Sequence, residues 1–235
     1  CIFVMASTLA ITATENLSTK TQSKQWWDYV KKDTNMPMIG INITMDAYIL
    51  YDETYNNMLN TDNHEFSKEL FEEVQQYLHN RSIMINITII QAIKNNNLTV
   101  YFESNKTLDG YHTLENLTTY GASMQKPNNS VFFLFTWARQ DDAEGTPGLI
   151  DFINRTSSHR VSEVSTENTF CTKNTSAAVI RHRPKSKNYW STVKALLHIL
   201  GSKHFIAFTQ QDWKNMNDAF SHCPANTEAL TPLSC

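Results

Sequence analysis

The sequence predicts an α/β sandwich, in which helices cover a β-sheet. Segments rich in β-branched and aromatic residues, with alternating or continuous apolar positions, predict strands. Other segments carry apolar residues at helical spacing. Because the two kinds of segment alternate along the chain, we expect strands and helices to pack in layers around a common core.

The predicted strands differ in how their apolar residues are arranged. The segment 130–137 (SVFFLFTW) is almost continuously hydrophobic, as a strand covered on both faces must be. A run of three asparagines before residue 98 is typical of a turn. In chain order, strands are predicted over 36–50, 82–93, 98–103, 130–137 and 148–153, and 171–181 begins as a loop and ends in an apolar stretch.

Helices are predicted over 63–78, 113–124 and 188–200. Asn63 is a candidate N-cap, because its side-chain oxygen can accept hydrogen bonds from first-turn amides. Gly201 is well placed to end the last helix, because glycine tolerates the left-handed cap conformation. Residues 138–147 form an acidic loop, and the tail 210–235 is predicted to be irregular.

Composition excludes several classes of protein. The chain of 235 residues has a net charge of -3, which argues against a nucleic-acid partner. Hydrophobic residues make up 41% and aromatic residues 11%, enough to build a core rather than a disordered chain. No stretch approaches the about 20 consecutive apolar residues of a membrane span, so none is predicted.

Glycosylation sequons are unusually frequent. Chance would give roughly four N-x-[ST] matches in a chain with this much Asn, Ser and Thr. The excess predicts a glycosylated, secreted, extracellular protein, although some matches in so Asn-rich a chain are accidental. The ten candidate asparagines are Asn16, Asn42, Asn80, Asn86, Asn97, Asn105, Asn116, Asn128, Asn154 and Asn174.

The N-terminus is consistent with secretion. Residues 1–13 (CIFVMASTLAITA) form a short apolar run with small residues near its end, typical of the remnant of a signal peptide. A buried N-terminal strand is the alternative. Residues 14–35 are predicted to form an N-terminal arm. Cleavage would remove Cys1 and leave three cysteines, one of them without an intrachain partner.

The segment 190–205 (WSTVKALLHILGSKHF) carries the most informative pattern. His198, Gly201 and His204 have the spacing H-x-x-G-x-x-H. This pattern resembles the second half of the adamalysin/reprolysin motif H-E-x-x-H-x-x-G-x-x-H, from the metzincin metalloproteases. The resemblance implies that three histidines bind zinc and that the glutamate is the general base for zinc-bound water.

The first half of the motif departs from the family pattern. Lys194 stands at the position of the first zinc ligand, Ala195 at that of the catalytic glutamate, and Phe205 where an aspartate often follows. An ammonium group has no lone pair to give a metal, and a methyl group cannot accept a proton. We therefore expect no catalytic residue and no likely cofactor, with His198 and His204 as residual metal ligands that bind zinc weakly or not at all.

The resemblance extends over residues 36–235 and implies a fold. It is a metzincin-like three-layer sandwich with a twisted, mixed five-stranded sheet to about residue 201, followed by a small irregular C-terminal lobe over 202–235. The segment 130–136 resembles the family's central strand, and Phe220-Ser221-His222-Cys223 resembles the F-S-x-C near the end of the domain. By the same resemblance Gly148, Leu149 and Ile150 belong to the substrate-binding edge strand, and Met216 is a candidate Met-turn residue.

The resemblance also implies a disulfide between Cys171 and Cys235. The family partner of Cys223 has no counterpart in this sequence, since no cysteine lies between 205 and 215. Cys223 is therefore expected to be free, or bonded to Cys1 or to another chain. A different pairing remains an open alternative.

Three hypotheses for function follow. In overall style the chain is similar to salivary reprolysin-like proteins of ticks, which implies a secreted, inactive pseudo-protease that binds a host or extracellular protein. The alternative is an active zinc metalloendopeptidase with a rearranged metal site. The nearest candidates in sequence to supply the missing zinc ligand are His182, His222 and Asp212, but their spacing does not favour them. The third reading is a decayed paralogue or a purely structural secreted glycoprotein.

Overall fold

Strands and helices alternate along most of the chain. The computed structural model describes residues 36–55, 63–102, 108–137, 149–153 and 157–224. Predictions for the signal peptide, the N-terminal arm, the acidic loop, Cys1, Cys235 and the sequons at Asn16, Asn105 and Asn154 lie outside the described residues. The elements are β1 (Thr44–Tyr51), α1 (Asn63–His79), β2 (Asn86–Lys94), α2 (Gly110–Ser123), β3 (Ser130–Thr136), β4 (Leu149–Ile153), β5 (Ser157–Val161), β6 (Glu163–Ser165), β7 (Ser176–Arg181), α3 (Trp190–Ile199) and α4 (Gln210–Ser221).

Five of these strands form one mixed sheet. Their order is β2-β1-β3-β7-β6, and the pairs β1–β2, β1–β3 and β3–β7 are parallel. The last pair is antiparallel, so the short strand β6 runs against the others at one edge. The predicted α/β fold with a mixed five-stranded sheet is confirmed.

Two hydrophobic clusters cover the two faces of the sheet, because successive side chains of a strand point to opposite faces. In β3, Val131, Phe133 and Phe135 pack in one cluster with α1, α3 and α4. Phe132 and Leu134 pack in the other cluster with Leu117 of α2. All seven residues of β3 are buried, as predicted for the segment 130–137. The arrangement is three layers, helix on sheet on helix.

Two predictions from the local pattern are wrong. The segment 98–103 does not form a strand in its described part, where Tyr101 makes only an isolated bridge with Leu108. The tail is not irregular from residue 210, because Gln210–Ser221 forms α4. The helix begins with a capping box, in which the Thr209 side chain accepts from the Asp212 amide and the Asp212 carboxylate accepts from the Thr209 amide. The further division at about residue 201 stays a prediction.

Two smaller features complete the fold. The strands β4 and β5 form a separate antiparallel pair. Among the described residues, no helix has both the length and the hydropathy that crossing a membrane requires.

Candidate functional site

The turn that ends helix α3 has the geometry predicted from the sequence. Gly201 has φ +95°, a left-handed conformation that favours glycine. Its amide donates to the His198 carbonyl at 3.0 Å, and the Ser202 amide donates to the Leu197 carbonyl at 2.9 Å. A Cβ at Gly201 would stand 2.6 Å from Oδ1 of Asn168, so a side chain does not fit there. This glycine therefore directs the chain from His198 towards His204.

Lys194 forms an ion pair across the gap between helix α3 and the edge strand β6. Its Nζ donates to Oε1 of Glu163, the first residue of β6. The Glu163 side chain is 3% exposed and the Lys194 side chain 35% exposed. Ser162 donates to the other carboxylate oxygen of Glu163. Both oxygens of this buried carboxylate are therefore engaged within the protein.

Ala195 is fully buried in the core, packed with the other apolar residues of α3. In the motif that this segment resembles, the same position holds the general base, whereas here a methyl group faces the core. The side chain has no atom that can accept or deliver a proton. The sequence position of the base is therefore occupied by a packing residue.

His198 follows Lys194 by four residues on the same helix and is partly buried. Burial lowers the pKa of His198, and the positive charge of Lys194 lowers it further, while Glu167 and Glu163 oppose the shift. The backbone carbonyl of His198 accepts from the Asn168 amide at 2.9 Å. The neutral imidazole is therefore favoured at physiological pH.

His204 interacts with a carboxylate. Its Nδ1 lies 2.8 Å from Oδ2 of Asp212, whose side chain is 3% exposed, while the His204 side chain is 53% exposed. Burial alone would raise the pKa of Asp212, but hydrogen bonds from Thr209, the Lys203 amide and His204 outweigh it, and the pKa lies well below its ordinary value. The imidazole of His204 is thus oriented by an ionised carboxylate at the start of α4.

The residues at these positions do not fit a family-type zinc site. The two histidines of the motif are present, but the third position offers an ammonium group that is paired with Glu163. Among the described residues, no group of three or more His, Cys, Asp or Glu side chains could hold a metal ion. Zinc sites in proteins use imidazole, thiolate and carboxylate ligands, and this set supplies too few of them together.

The predicted edge strand lies elsewhere in the fold. Leu149 and Ile150 do belong to a strand, but β4 pairs with β5 in the separate two-stranded sheet. Gly148 lies outside the described residues. At the β7 side, the edge of the five-stranded sheet is β6 (Glu163–Ser165). The structure thus describes Leu149 and Ile150 in a strand outside the five-stranded sheet, and substrate binding at residues 148–150 stays a prediction.

Met216 does not lie in a turn. It is in the middle of α4 and fully buried in the core cluster that covers one face of the sheet. The Met-turn prediction is therefore wrong. The spacing of Trp213, Met216 and Phe220, three and four residues apart, places them together on the buried face of an amphipathic helix.

The disulfide also differs from the one that the resemblance implied. Cys171 pairs with Cys223, with a Cα–Cα distance of 4.8 Å, so Cys223 is not free and Cys171 is not bonded to Cys235. Asn128 positions Cys171, because its carbonyl accepts from the Cys171 amide and its side chain donates to the Cys171 carbonyl. The bond joins the segment before β7 to the end of α4.

The sequon asparagines that the structure describes all lie at the surface. Each is exposed, as a glycan acceptor must be. Two of them also donate a side-chain hydrogen bond to a backbone carbonyl, Asn116 to Leu98 and Asn128 to Cys171. The exposed residues are Asn42, Asn80, Asn86, Asn97, Asn116, Asn128 and Asn174.

A second polar cluster lies where three parallel strands end. Thr136 donates to the carboxylate of Asp52 at 2.5 Å, and the Tyr55 hydroxyl lies 3.0 Å from Nδ1 of His182. Burial lowers the pKa of His182 to about 4 and raises that of Asp52. Both residues are almost completely buried. The hydrogen bonds of this cluster therefore connect the ends of β1, β3 and β7, and its buried groups are not presented to a ligand.

Sequence reasoning missed Glu163 as the partner of Lys194 and Asp212 as the partner of His204. Glu163 is 31 residues from Lys194, and nothing local indicates the contact. From its sequence position Asp212 is only a candidate substitute metal ligand. The T-x-x-D pattern at Thr209 and Asp212 was a signal for a helix start that would have placed it. His182 is buried against Tyr55, and His222 is exposed at the end of α4.

Comparisons with known proteins give only distant likenesses. No protein-family model and no curated protein matches the sequence. A solved structure of metalloproteinase-II from Bacteroides fragilis is similar with a TM-score of 0.44 and 13% identity, covering 79% of this chain and 58% of that chain. A structure of a chaperone–substrate complex is similar with a TM-score of 0.42 and 10% identity, covering 68% and 26%. The chain thus spans less than two thirds of either protein, and neither likeness assigns an activity.

Proposed function

We propose that this chain is a secreted protein with a reprolysin-like metalloprotease fold that binds an extracellular protein without cutting it. The observation that carries the proposal is the ion pair between Lys194 and Glu163 at the position of the first zinc ligand. The pair places an ammonium and its carboxylate where hydrolysis needs an imidazole. The methyl group of Ala195 stands beside it, where hydrolysis needs a general base.

The disulfide and the surface sequons support secretion. A bond between Cys171 and Cys223 persists in oxidising compartments, which are mostly extracellular. The described sequon asparagines are all exposed and therefore accessible for glycosylation. A protein that has kept the fold but lacks the groups for hydrolysis retains binding as its simplest remaining function. An extracellular protein is the partner that this compartment supplies.

The first experiment tests the assignment of the motif by restoring it. We expect the Lys194→His/Ala195→Glu variant to bind zinc more tightly than the wild-type chain, measured by calorimetric titration with zinc chloride. Ala195→Glu alone is the matched control, because it adds the carboxylate but leaves the cation in place. Zinc affinity equal to that of the control would contradict the alignment of Lys194 with a ligand position.

The second experiment tests binding without cleavage. The glycosylated wild-type chain, immobilised, is incubated with extracellular fluid, and the retained proteins are identified and sized by mass spectrometry. We expect a retained protein that is recovered at full length. Chelator-sensitive cleavage of the retained protein would contradict the proposal and favour an active zinc metalloendopeptidase. Retention of nothing beyond what a denatured chain retains would contradict the binding function.

A further inference from the structure

The loop between β7 and α3 carries an unusual density of positive charge. Residues 181–187 (RHRPKSK) contain Arg181, Arg183, Lys185 and Lys187. These are four of the 20 Lys and Arg residues in a chain whose net charge is -3. Concentrating a fifth of the cations in seven residues of a slightly acidic protein creates a local field of the opposite sign.

The loop presents these cations to solvent on a fixed backbone. Arg183, Lys185 and Lys187 are exposed, while His182 and Pro184 between them are buried. The Ser186 amide donates to the Arg183 carbonyl at 3.0 Å and closes a turn. Because the buried side chains of His182 and Pro184 anchor the loop in the protein, the three cations project from one short surface segment.

The turn adopts a conformation that lysine rarely takes. Lys185 follows Pro184 and has φ +64°, in the left-handed region where glycine or asparagine is the usual residue of such a turn. A long cationic side chain at this position is unfavourable for the backbone and places a charge at the tip of the loop. Local strain of this kind is more frequent at functional positions than elsewhere.

These three charges are not neutralised by neighbouring carboxylates in the described part of the chain. No Asp or Glu there lies within 4.0 Å of the charged groups of Arg183, Lys185 or Lys187. In contrast, Lys194 on the following helix is paired with Glu163. The guanidinium of Arg181 packs over the Trp137 ring at 4.0 Å, at the base of the same loop.

The C-terminal part of the sequence contains no glycosylation sequon. All ten sequons lie between residues 16 and 174, and none occurs from residue 175 to 235. Glycans attached at the sequons would therefore not be attached to β7, to the cationic loop or to helices α3 and α4. The loop itself therefore carries no glycan acceptor.

We infer that Arg183, Lys185 and Lys187 form a binding site for a sulfated polysaccharide. Short segments rich in Lys and Arg are typical of heparin or nucleic-acid binding. The disulfide favours an extracellular compartment, where sulfated polysaccharides are the prevalent polyanions and nucleic acids are not. The inference goes beyond the proposed function, with which it shares only the extracellular location, and direct binding to a purified polysaccharide tests it separately.

The experiment measures the affinity of the purified glycosylated chain for heparin at several salt concentrations. We expect the Arg183→Ser/Lys185→Asn/Lys187→Gln variant, which creates no new sequon, to bind about tenfold more weakly or worse, because it loses three cationic contacts of the kind that supplies affinity for polyanions. Asn at position 185 keeps the left-handed turn. The matched control is Lys68→Ser/Lys126→Ser/Lys173→Ser, which removes three exposed lysines elsewhere and should keep the wild-type affinity.

A footprint on the wild-type chain covers the case in which the loop variant does not fold. Heparin is expected to slow acylation of Lys185 and Lys187 and to leave acylation of Lys68 unchanged, read by mass spectrometry. Equal loss of affinity in the two triple variants, or no protection of Lys185, would overturn the site. Binding of desulfated heparin, single-stranded DNA or phosphatidylserine vesicles as tight as that of heparin would overturn the choice of ligand.

Discussion

The two ends of the segment from Lys194 to His204 are held by different chemistry. At one end the ammonium group of Lys194 pairs with Glu163 on the edge strand. At the other end the Nδ1 of His204 faces Asp212 at the start of α4. Both carboxylates have side chains only 3% exposed. The comparison shows that contacts within the protein hold both ends, on either side of the turn at Gly201.

The two ends also differ in what would happen if a partner were lost. Removal of Lys194 leaves the buried carboxylate of Glu163 without a counter-charge, whereas removal of Glu163 leaves an ammonium that is one-third exposed and can reach water. At the other end Asp212 keeps its hydrogen bonds from Thr209 and the Lys203 amide even without His204. The Lys194 end is therefore the more sensitive of the two.

The largest effect is expected from the disulfide, which fixes the helix that carries Asp212. Cys171→Ser/Cys223→Ser opens a link with a sequence separation of 52 residues. On the chain-entropy model this lowers the free energy of unfolding by about 4 kcal/mol. Urea denaturation of the variant and of the wild-type chain measures the difference. Peptide mapping that finds Cys171 bonded to Cys235 would contradict the structure at this point.

The next largest effect is expected at the Lys194 end. Lys194→Met leaves the buried carboxylate of Glu163 without a counter-charge. This variant is expected to lower the free energy of unfolding by about 3 kcal/mol. Glu163→Gln leaves a solvent-accessible cation and is expected to lower the free energy of unfolding by only about 1 kcal/mol. Urea denaturation at neutral pH compares the two variants. An equal loss of unfolding free energy in the two variants would contradict the inference that the buried Glu163 depends on Lys194 more than Lys194 depends on Glu163.

A smaller effect is expected at the Asp212 end. Asp212→Asn weakens the cap of α4 and removes the negative charge next to His204, and is expected to cost about 1 kcal/mol at neutral pH. Because the folded-state pKa of Asp212 is lowered, its stabilisation is complete above the unfolded pKa and is lost as the pH falls below about 4.

The pH profile separates this contribution from the others. The difference in stability between the wild-type chain and Asp212→Asn is expected to shrink on acidification, measured by urea denaturation from neutral to acid pH. Asp218→Asn, at an exposed position of the same helix, is the matched control. A difference that stays constant down to strongly acid pH would show that the carboxylate is not stabilised in its ionised form.

The smallest effect is a change in titration at His198. Burial and the charge of Lys194 both lower the pKa of His198. Lys194→Met is therefore expected to raise this pKa, although the lowering caused by burial remains. NMR titration of the imidazole protons measures it. Lys203→Met, which removes an exposed cation beside the other histidine, is the control and is expected to leave His198 unchanged. No change in either variant would mean that Lys194 does not act on His198 by its charge.

Local sequence patterns predicted what depends on neighbouring residues. The continuous apolar run of β3 and the glycine that ends α3 were predictable, because burial on both faces and a left-handed cap leave signs within a few residues. Helix α4 was predictable in principle from its capping pattern and from Trp213 and Met216, but its low mean apolar content concealed it.

Contacts between distant segments were not predictable. The pairing of Cys171 with Cys223 could not be read from spacing, because cysteine connectivity depends on which chain segments meet in the fold. The partner of Lys194 depends on the position of β6, and no local pattern places this three-residue strand at the edge of the sheet. Lys194 and Ala195 could be singled out from the sequence, but the contacts that they make in the fold could not.

The central proposal is that the ion pair between Lys194 and Glu163 stands where a zinc protease would have a metal ligand, and zinc content tests it most directly. The glycosylated wild-type chain is dialysed against zinc, freed of loosely bound metal, analysed for zinc per chain, and assayed with an unstructured peptide substrate. The account predicts far less than one equivalent of zinc and no chelator-sensitive cleavage. One tightly bound zinc per chain together with cleavage that a chelator abolishes would contradict it.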